Sequence, residues 1–194
     1  MKDKSMSQLH PVSALMDEKQ FWSLIEQSHT IAQAASDDED EQQTAQCESL
    51  AGLLKQLDWQ DIAAFDNRFS TLVIQSYDEK LWCAAYVLCG GCGDDGFDYF
   101  RYWLISRGEA VYRGVLADPD SLIDHVSGDV DDGCYEFEDF AYVAMGIFEE
   151  KTGEELDEYT DIDHSIPDIE FSWDEDDPES IKAICPKLYA AFWE

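Results

Sequence analysis

The residues best suited to chemistry lie in one string, Cys89-Gly-Gly-Cys92-Gly-Asp94-Asp95-Gly-Phe-Asp98-Tyr-Phe-Arg101. Three carboxylates and a guanidinium within eight positions are the composition of a divalent-cation site or of a general acid–base pair. A plainer role competes: Asp95 caps a helix with Asp98 at the capping-box position, while Asp98 pairs with Arg101 at i, i+3. The plainer role is the stronger expectation, and Asp94, Asp95, Asp98 and Arg101 are kept as the alternative site.

Other chemistries fit less well. Cys89-x-x-Cys92 invites zinc or redox use, but no second CxxC or HxxxH pair follows, and only Cys134, His125 and His164 are loose candidates for further ligands. A redox CxxC sits at a helix N-terminus, whereas Cys89 ends a helix. The glycines lack the lysine of a phosphate loop, and Asp94 and Asp95 repel anions. Asp129-Val-Asp-Asp-Gly133 lacks calcium-loop spacing, and His10, His29, His125 and His164 share no ligand spacing. No protease or hydrolase signature is present. The expectation is a non-enzyme with no cofactor and no metal.

The elements positioning this string follow from apolar periodicity. Asp17 caps a first helix carrying Phe21, Trp22, Leu24 and Ile25, which stops near Asp37. Asp37–Glu41 reads as a solvated acidic loop, and a second helix spans about Gln43–Leu57. Asp58 caps a third, with Trp59, Ile62, Phe65, Phe69 and Leu72 as its buried face. KLWCAAYVLC is apolar nearly all round, so it belongs at the centre, ended by Gly90 and Gly91. A fifth helix runs to Gly108, a short one covers Glu109–Leu116, and a turn starts at Asp118-Pro119. Further helices span about Glu136–Lys151 and Glu179–Trp193, the last divided or kinked by Pro186. This predicts an all-α, single-domain orthogonal bundle of about six to eight helices with long acidic loops. Residues 1–15 are a disordered leader and 16–194 the domain.

MDEKQFWSLI at Met16–Ile25, LWCAAYVLCGGCGDDGFDYFRYWLISRG at Leu81–Gly108, VLADPDSL at Val115–Leu122 and EEKTGEEL at Glu149–Leu156 together resemble an uncharacterised bacterial family of unknown function. Its mark is the string GGC-(S/G)-DDGFDYFR-x-WLI, and the resemblance covers most of residues 16–193. It implies a fold and carries no activity. The family often has Ser where this chain has Gly93, and its members are generally less acidic, which ties the extra charge to this member's own task.

That charge is the outstanding compositional feature. Forty-four acids stand against 12 Lys and Arg, for a net charge of -32 and a pI near 4.1. Residues 118–179 hold 24 acids and one base, Lys151. Self-repulsion of this size opposes compaction, yet a 45% hydrophobic and 13% aromatic composition supports one core in 194 residues. No apolar run is long enough to span a membrane, and the six cysteines read as reduced thiols of a cytoplasmic protein.

The composition therefore points to an acidic binding protein that neutralises or inhibits a basic partner, a nuclease toxin or nucleic-acid-binding protein, as an immunity protein or DNA mimic would. It contacts neither nucleic acid nor membrane directly. Halophilic adaptation or plain solvation of the surface is the rival account. The partner-binding residues would be Asp129, Asp131 and Asp132, then Glu154, Glu155, Asp157 and Glu158, then Asp161 and Asp163, and finally Asp174, Glu175, Asp176 and Asp177, joined by the Asp37–Glu41 run. Phe171, Trp173 and Tyr159 are the aromatic anchors of that face or pins holding it to the core.

Overall fold

The computed structural model describes residues 9–126 and 135–193. All regular structure among them is helical: nine α-helices and two short 3-10 helices. Four consecutive polar-to-apolar transitions set the first half. Asp17 accepts from the backbone N–H of Lys19 and Gln20 at 3.1 and 3.2 Å and starts α1 (Glu18–Ala35). Asp38 caps α2 (Glu39–Leu54), Asp58 precedes α3 (Trp59–Gln75), and Asp78 caps α4 (Glu79–Cys89).

The expected loop at Asp37–Glu41 is thus a correction: Glu39, Asp40 and Glu41 form the first turn of α2. Their carboxylates oppose the positive end of the helix dipole, which offsets the repulsion that the run of charge suggested. α5 (Asp94–Ser106) also begins earlier than expected. Gly93 is its N-cap, so Asp94 and Asp95 occupy the first turn and Asp95 caps nothing. α6 spans Glu109–Ala117, followed by a 3-10 helix over Pro119–Asp124, and α7 spans Glu138–Thr152. A second 3-10 helix, Leu156–Glu158, leads into an irregular strap, and Pro186 divides the last helical stretch into α8 (Pro178–Ile184) and α9 (Pro186–Phe192). That division is one source of the higher helix count.

The expected central place of α4 is a correction: α5 packs against α1, α3, α4, α6 and α7, whereas α4 packs mainly against α5, the first 3-10 helix, α8 and α9. Leu81, Trp82, Cys83, Ala84, Ala85, Val87 and Leu88 of α4 are nonetheless all buried. Gly90 ends it in the left-handed region at φ 64°, where a side chain would be strained. The rest of the core comes from Phe97, Phe100, Trp103 and Leu104 of α5, Phe21, Trp22 and Ile25 of α1, and Phe140 and Phe148 of α7. Each such side chain contributes about 1.5–3 kcal/mol through its removal from water, which is how a chain this charged stays compact. Among the described residues no helix is long and apolar enough to cross a membrane.

Residues 9–15 depart from the expected leader. Val12 is buried, its N–H donates to the Tyr159 carbonyl at 2.8 Å, and its own carbonyl accepts from Asp161 N–H at 3.1 Å. The buried Asn67 amide donates to the carbonyls of Val12 and Ala14 at 2.7 and 3.1 Å. The cysteines need one correction too: Cys47, Cys83, Cys92 and Cys185 are free thiols, but Cys89 is disulfide-bonded.

Candidate functional site

Arg101 organises the site. It is 2% exposed, the largest charged group in the interior. Its guanidinium donates to the Val73 carbonyl at 2.6 Å, to the Phe97 carbonyl at 3.2 Å and to the Asp98 carboxylate. It also lies over the rings of Phe97 and Tyr77, 4.7 and 5.0 Å from their centroids. Burial pulls its pKa below the ordinary guanidinium value, and the adjacent Asp98 opposes that pull. The i, i+3 pairing read from the sequence is present, and it neutralises Arg101 internally.

Asp98 and Arg101 open into a cleft of about 350 Å³ between α3, α5, α7 and the strap. Phe69, Val73 and Ile74 of α3 and Met145 of α7 supply apolar wall; Tyr142 and Ile166, 52% and 59% exposed, stand at its mouth. Asp66, Asp157 and His164 complete the lining. Burial raises the Asp66 carboxyl to about 7, with the charge of Asp157 as the second cause. Asp66 accepts no hydrogen bond and joins no ion pair among the described residues, so nothing there compensates its ionised form. Tyr102, beside them, is pushed up to about 12, chiefly by burial.

Neither Asp66 nor His164 was assigned to a site from the sequence. Asp66 did carry a signal: Ile62, Asp66, Phe69 and Val73 are spaced as one helix stripe, and a lone acid on an apolar stripe is unusual. His164 stands in the sequence only as a loose candidate ligand for Cys89 and Cys92; the return of the strap over α3 and α7 brings it to Asp66 instead.

The other expected residues are distributed differently. Asp94 and Asp95 are exposed in the first turn of α5 and do not line the cleft. Among the described residues no three His, Cys, Asp or Glu side chains converge in a way that could hold a metal ion. The Cys92 thiol is raised to about 12, first by burial and then by Glu136, the reverse of a reactive cysteine. Glu154, Glu155, Asp157, Glu158, Asp161 and Asp163 are exposed, as are Asp174, Glu175, Asp176 and Asp177. Asp129, Asp131 and Asp132 lie outside the described residues.

The aromatic residues of the strap hold it in place. Trp173 donates from its indole N–H to the Glu79 carbonyl at 2.8 Å and packs against Tyr86, while Ser172 donates to the Glu79 carboxylate. Tyr159 packs on Phe148. Phe171 touches Trp82 edge-on yet remains 49% exposed, so it alone of the three keeps a large free surface.

A second opening, about 290 Å³, lies between α1, α2, α5 and α6, with His29, Glu39 and Arg107 in its wall. Arg107 pairs with Glu39 at 3.3 Å and rests on the Trp103 ring. Burial, then the charge of Arg107, lowers His29 to about 4. This opening is lined by the neutral His29 imidazole, by His125 and by a satisfied ion pair, a structural arrangement.

No curated protein and no solved structure matches the chain. Residues 16–150 match a family described as protein of unknown function, DUF4240. Its extent includes α1 to α6 and all but the last two residues of α7, and stops before Asp157, His164 and the strap, so the cleft has a family-derived floor and a wall contributed from beyond the match. By that match over most of its length, the chain belongs to the DUF4240 family of proteins of unknown function.

Proposed function

We propose that the protein binds a basic partner protein through the acidic strap at 154–177, in the manner of an immunity protein or DNA mimic. One observation carries the reading. The strap's acids are exposed, and none forms an ion pair with Lys or Arg among the described residues. Uncompensated carboxylates on a strap pinned at Trp173 produce a negative field that steers cations and repels nucleic acid. Asp174 and Asp177 have local duties, accepting from the N–H of Asp176 and Glu179, but Glu154, Glu155, Glu158, Asp161 and Asp176 accept no side-chain hydrogen bond among the described residues. Their charge is therefore removable without loss of a local contact.

The test is capture from the native host with the protein as bait, washed at low and then high salt. A basic protein held at low salt, released at high salt and lost when those five acids become amides supports the reading. Capture that ignores both salt and the amide substitutions overturns it.

A second reading, a carboxylate site at the joint, has its own support: Asp98 and Arg101 share a cleft with Asp66, whose pKa of about 7 suits proton exchange near neutrality. Stabilisation by micromolar divalent metal in a thermal-shift titration would favour it over the first.

A further inference from the structure

The cleft is charged in an unbalanced way. Its one guanidinium, Arg101, is already consumed by Asp98, two backbone carbonyls and two aromatic faces. That leaves Asp66 and Asp157 without a cation. An anion entering the cleft would meet both carboxylates; a neutral apolar ligand would leave Asp66 unpaired. A cation with a short hydrocarbon stem satisfies both walls, because Ile74, Met145 and Ile166 line the same space. The volume of about 350 Å³ lies near the lower end of the range for small-ligand sites, roughly 300–1,000 Å³.

We infer that this cleft binds a primary alkylammonium group, its stem against Ile74, Met145 and Ile166 and its charge on Asp66 and Asp157. The inference stands on the cleft alone and holds whether or not the strap meets a protein. An ammonium supplies three donors to a carboxylate that has none, and the apolar surroundings strengthen the pair. The group can belong to a free amine or to a lysine side chain, and the two are separable by experiment.

Binding should be proton-linked. The titratable and charged groups that line the cleft with Asp66 are Asp98, Arg101 and Tyr102 from α5, Tyr142 from α7, Asp157 from the second 3-10 helix and His164 from the strap, and Asp157 is the one whose charge acts on Asp66. Arg101 and Asp98 neutralise each other, and both tyrosines are shifted up and stay neutral. Ammonium binding therefore requires Asp66 to lose its proton.

Isothermal titration of the whole chain with n-butylammonium, with Nα-acetyl-lysine methylamide and with n-pentanol as the uncharged control tests this at constant ionic strength. The expected result is affinity about tenfold higher near pH 8 than near pH 6, with proton release on binding near pH 7. Asp66→Asn should lose most of the affinity and of its pH dependence; a wild-type buffer-ionisation series reads the released proton without any variant. Binding of butylammonium alone identifies a free-amine site, and binding of the lysine derivative identifies a protein side chain as occupant. Absence of binding by both amines, binding equal to that of n-pentanol, or pH-independent affinity overturns the inference.

Discussion

The carboxylate of Asp120, in the 3-10 helix after α6, accepts from the backbone N–H groups of Lys187 and Leu188 at the start of α9, at 2.9 and 3.0 Å. Asp120 is 5% exposed. It caps α9 from 67 residues away in sequence, since Cys185 at the N-cap position offers no side-chain hydrogen bond. The VLADPDSL string thus holds a helix that lies beyond the family match.

Removing that cap should be costly. Charge-assisted hydrogen bonds of this kind contribute about 1.5–3 kcal/mol each. Asp120→Ala is expected to lower stability by about 2–4 kcal/mol, and Asp120→Asn, which keeps an acceptor, by less. Urea denaturation of both variants measures the order; equal losses would show that the charge is unimportant.

Arg101 should outweigh its partner. Arg101→Met fills the space but removes the charge-assisted bonds to Asp98 and to the Val73 carbonyl, which keeps only the Ser76 hydroxyl, a loss of about 2–4 kcal/mol. Asp98→Asn leaves both carbonyl contacts intact, and Asp98 is 43% exposed in its side chain, so it can hydrate. The expected ranking is a large loss for Arg101→Met and a small one for Asp98→Asn, read from denaturation midpoints.

Asp66 and His29 act on stability in opposite directions within one pH window. Folded Asp66 titrates at about 7 and the unfolded residue at its ordinary value of 3.8. Between these the folded state retains a proton the unfolded chain has released, so stability falls as pH rises, by an amount on the order of 4 kcal/mol when complete. Folded His29 titrates at about 4 against an ordinary value of 6.5. There the unfolded chain takes up a proton that the folded state refuses, so its contribution grows as pH rises. Asp66→Asn should steepen the gain in stability between about pH 4 and about pH 6.5, and His29→Gln should diminish it. Unfolding free energies across that range, with no change of slope in either variant, would refute the assignment.

Trp173 separates anchoring from global stability. Trp173→Phe keeps the stacking on Tyr86 but loses the bond to the Glu79 carbonyl, worth about 1 kcal/mol. Trp173→Ala should raise amide exchange across residues 171–177 while exchange in α4 and α5 stays near wild type. Equal acceleration in the strap and in α4 would place Trp173 in the cooperative core.

Much of the helical frame was legible because its signals are local. Asp17 and Asp58 precede their helices where the periodicity put them, α4 is buried nearly all round as its apolar composition demanded, and Asp98 meets Arg101 one turn on. The misreadings share a cause as well. A run of acids suggests loop by its self-repulsion, yet the first turn of a helix favours acids, so α2 begins earlier than its apolar periodicity indicates. The same preference puts Asp94 and Asp95 inside the first turn of α5 and leaves Gly93 at its N-cap. The cleft was not legible: Asp66, Asp98, Asp157 and His164 span 66 to 164 and come together only through packing of α3, α5 and α7 with the strap. Periodicity identifies which residues face inward; it does not say which inward faces meet.

The pairing of Val12 with Thr160 is the single β-bridge among the described residues, and neither residue belongs to the family match. It works as a clasp: two segments flanking the matched region are fastened to each other across α3, with Asn67 holding one of them from beneath. Cutting the chain at the limits of the match would open the clasp from both sides at once, stripping the cover from Asn67 and removing the cleft's outer wall. The unit of evolutionary recognition and the unit of cooperative folding therefore have different borders in this protein, and the smallest piece that retains the cleft must carry both halves of the clasp.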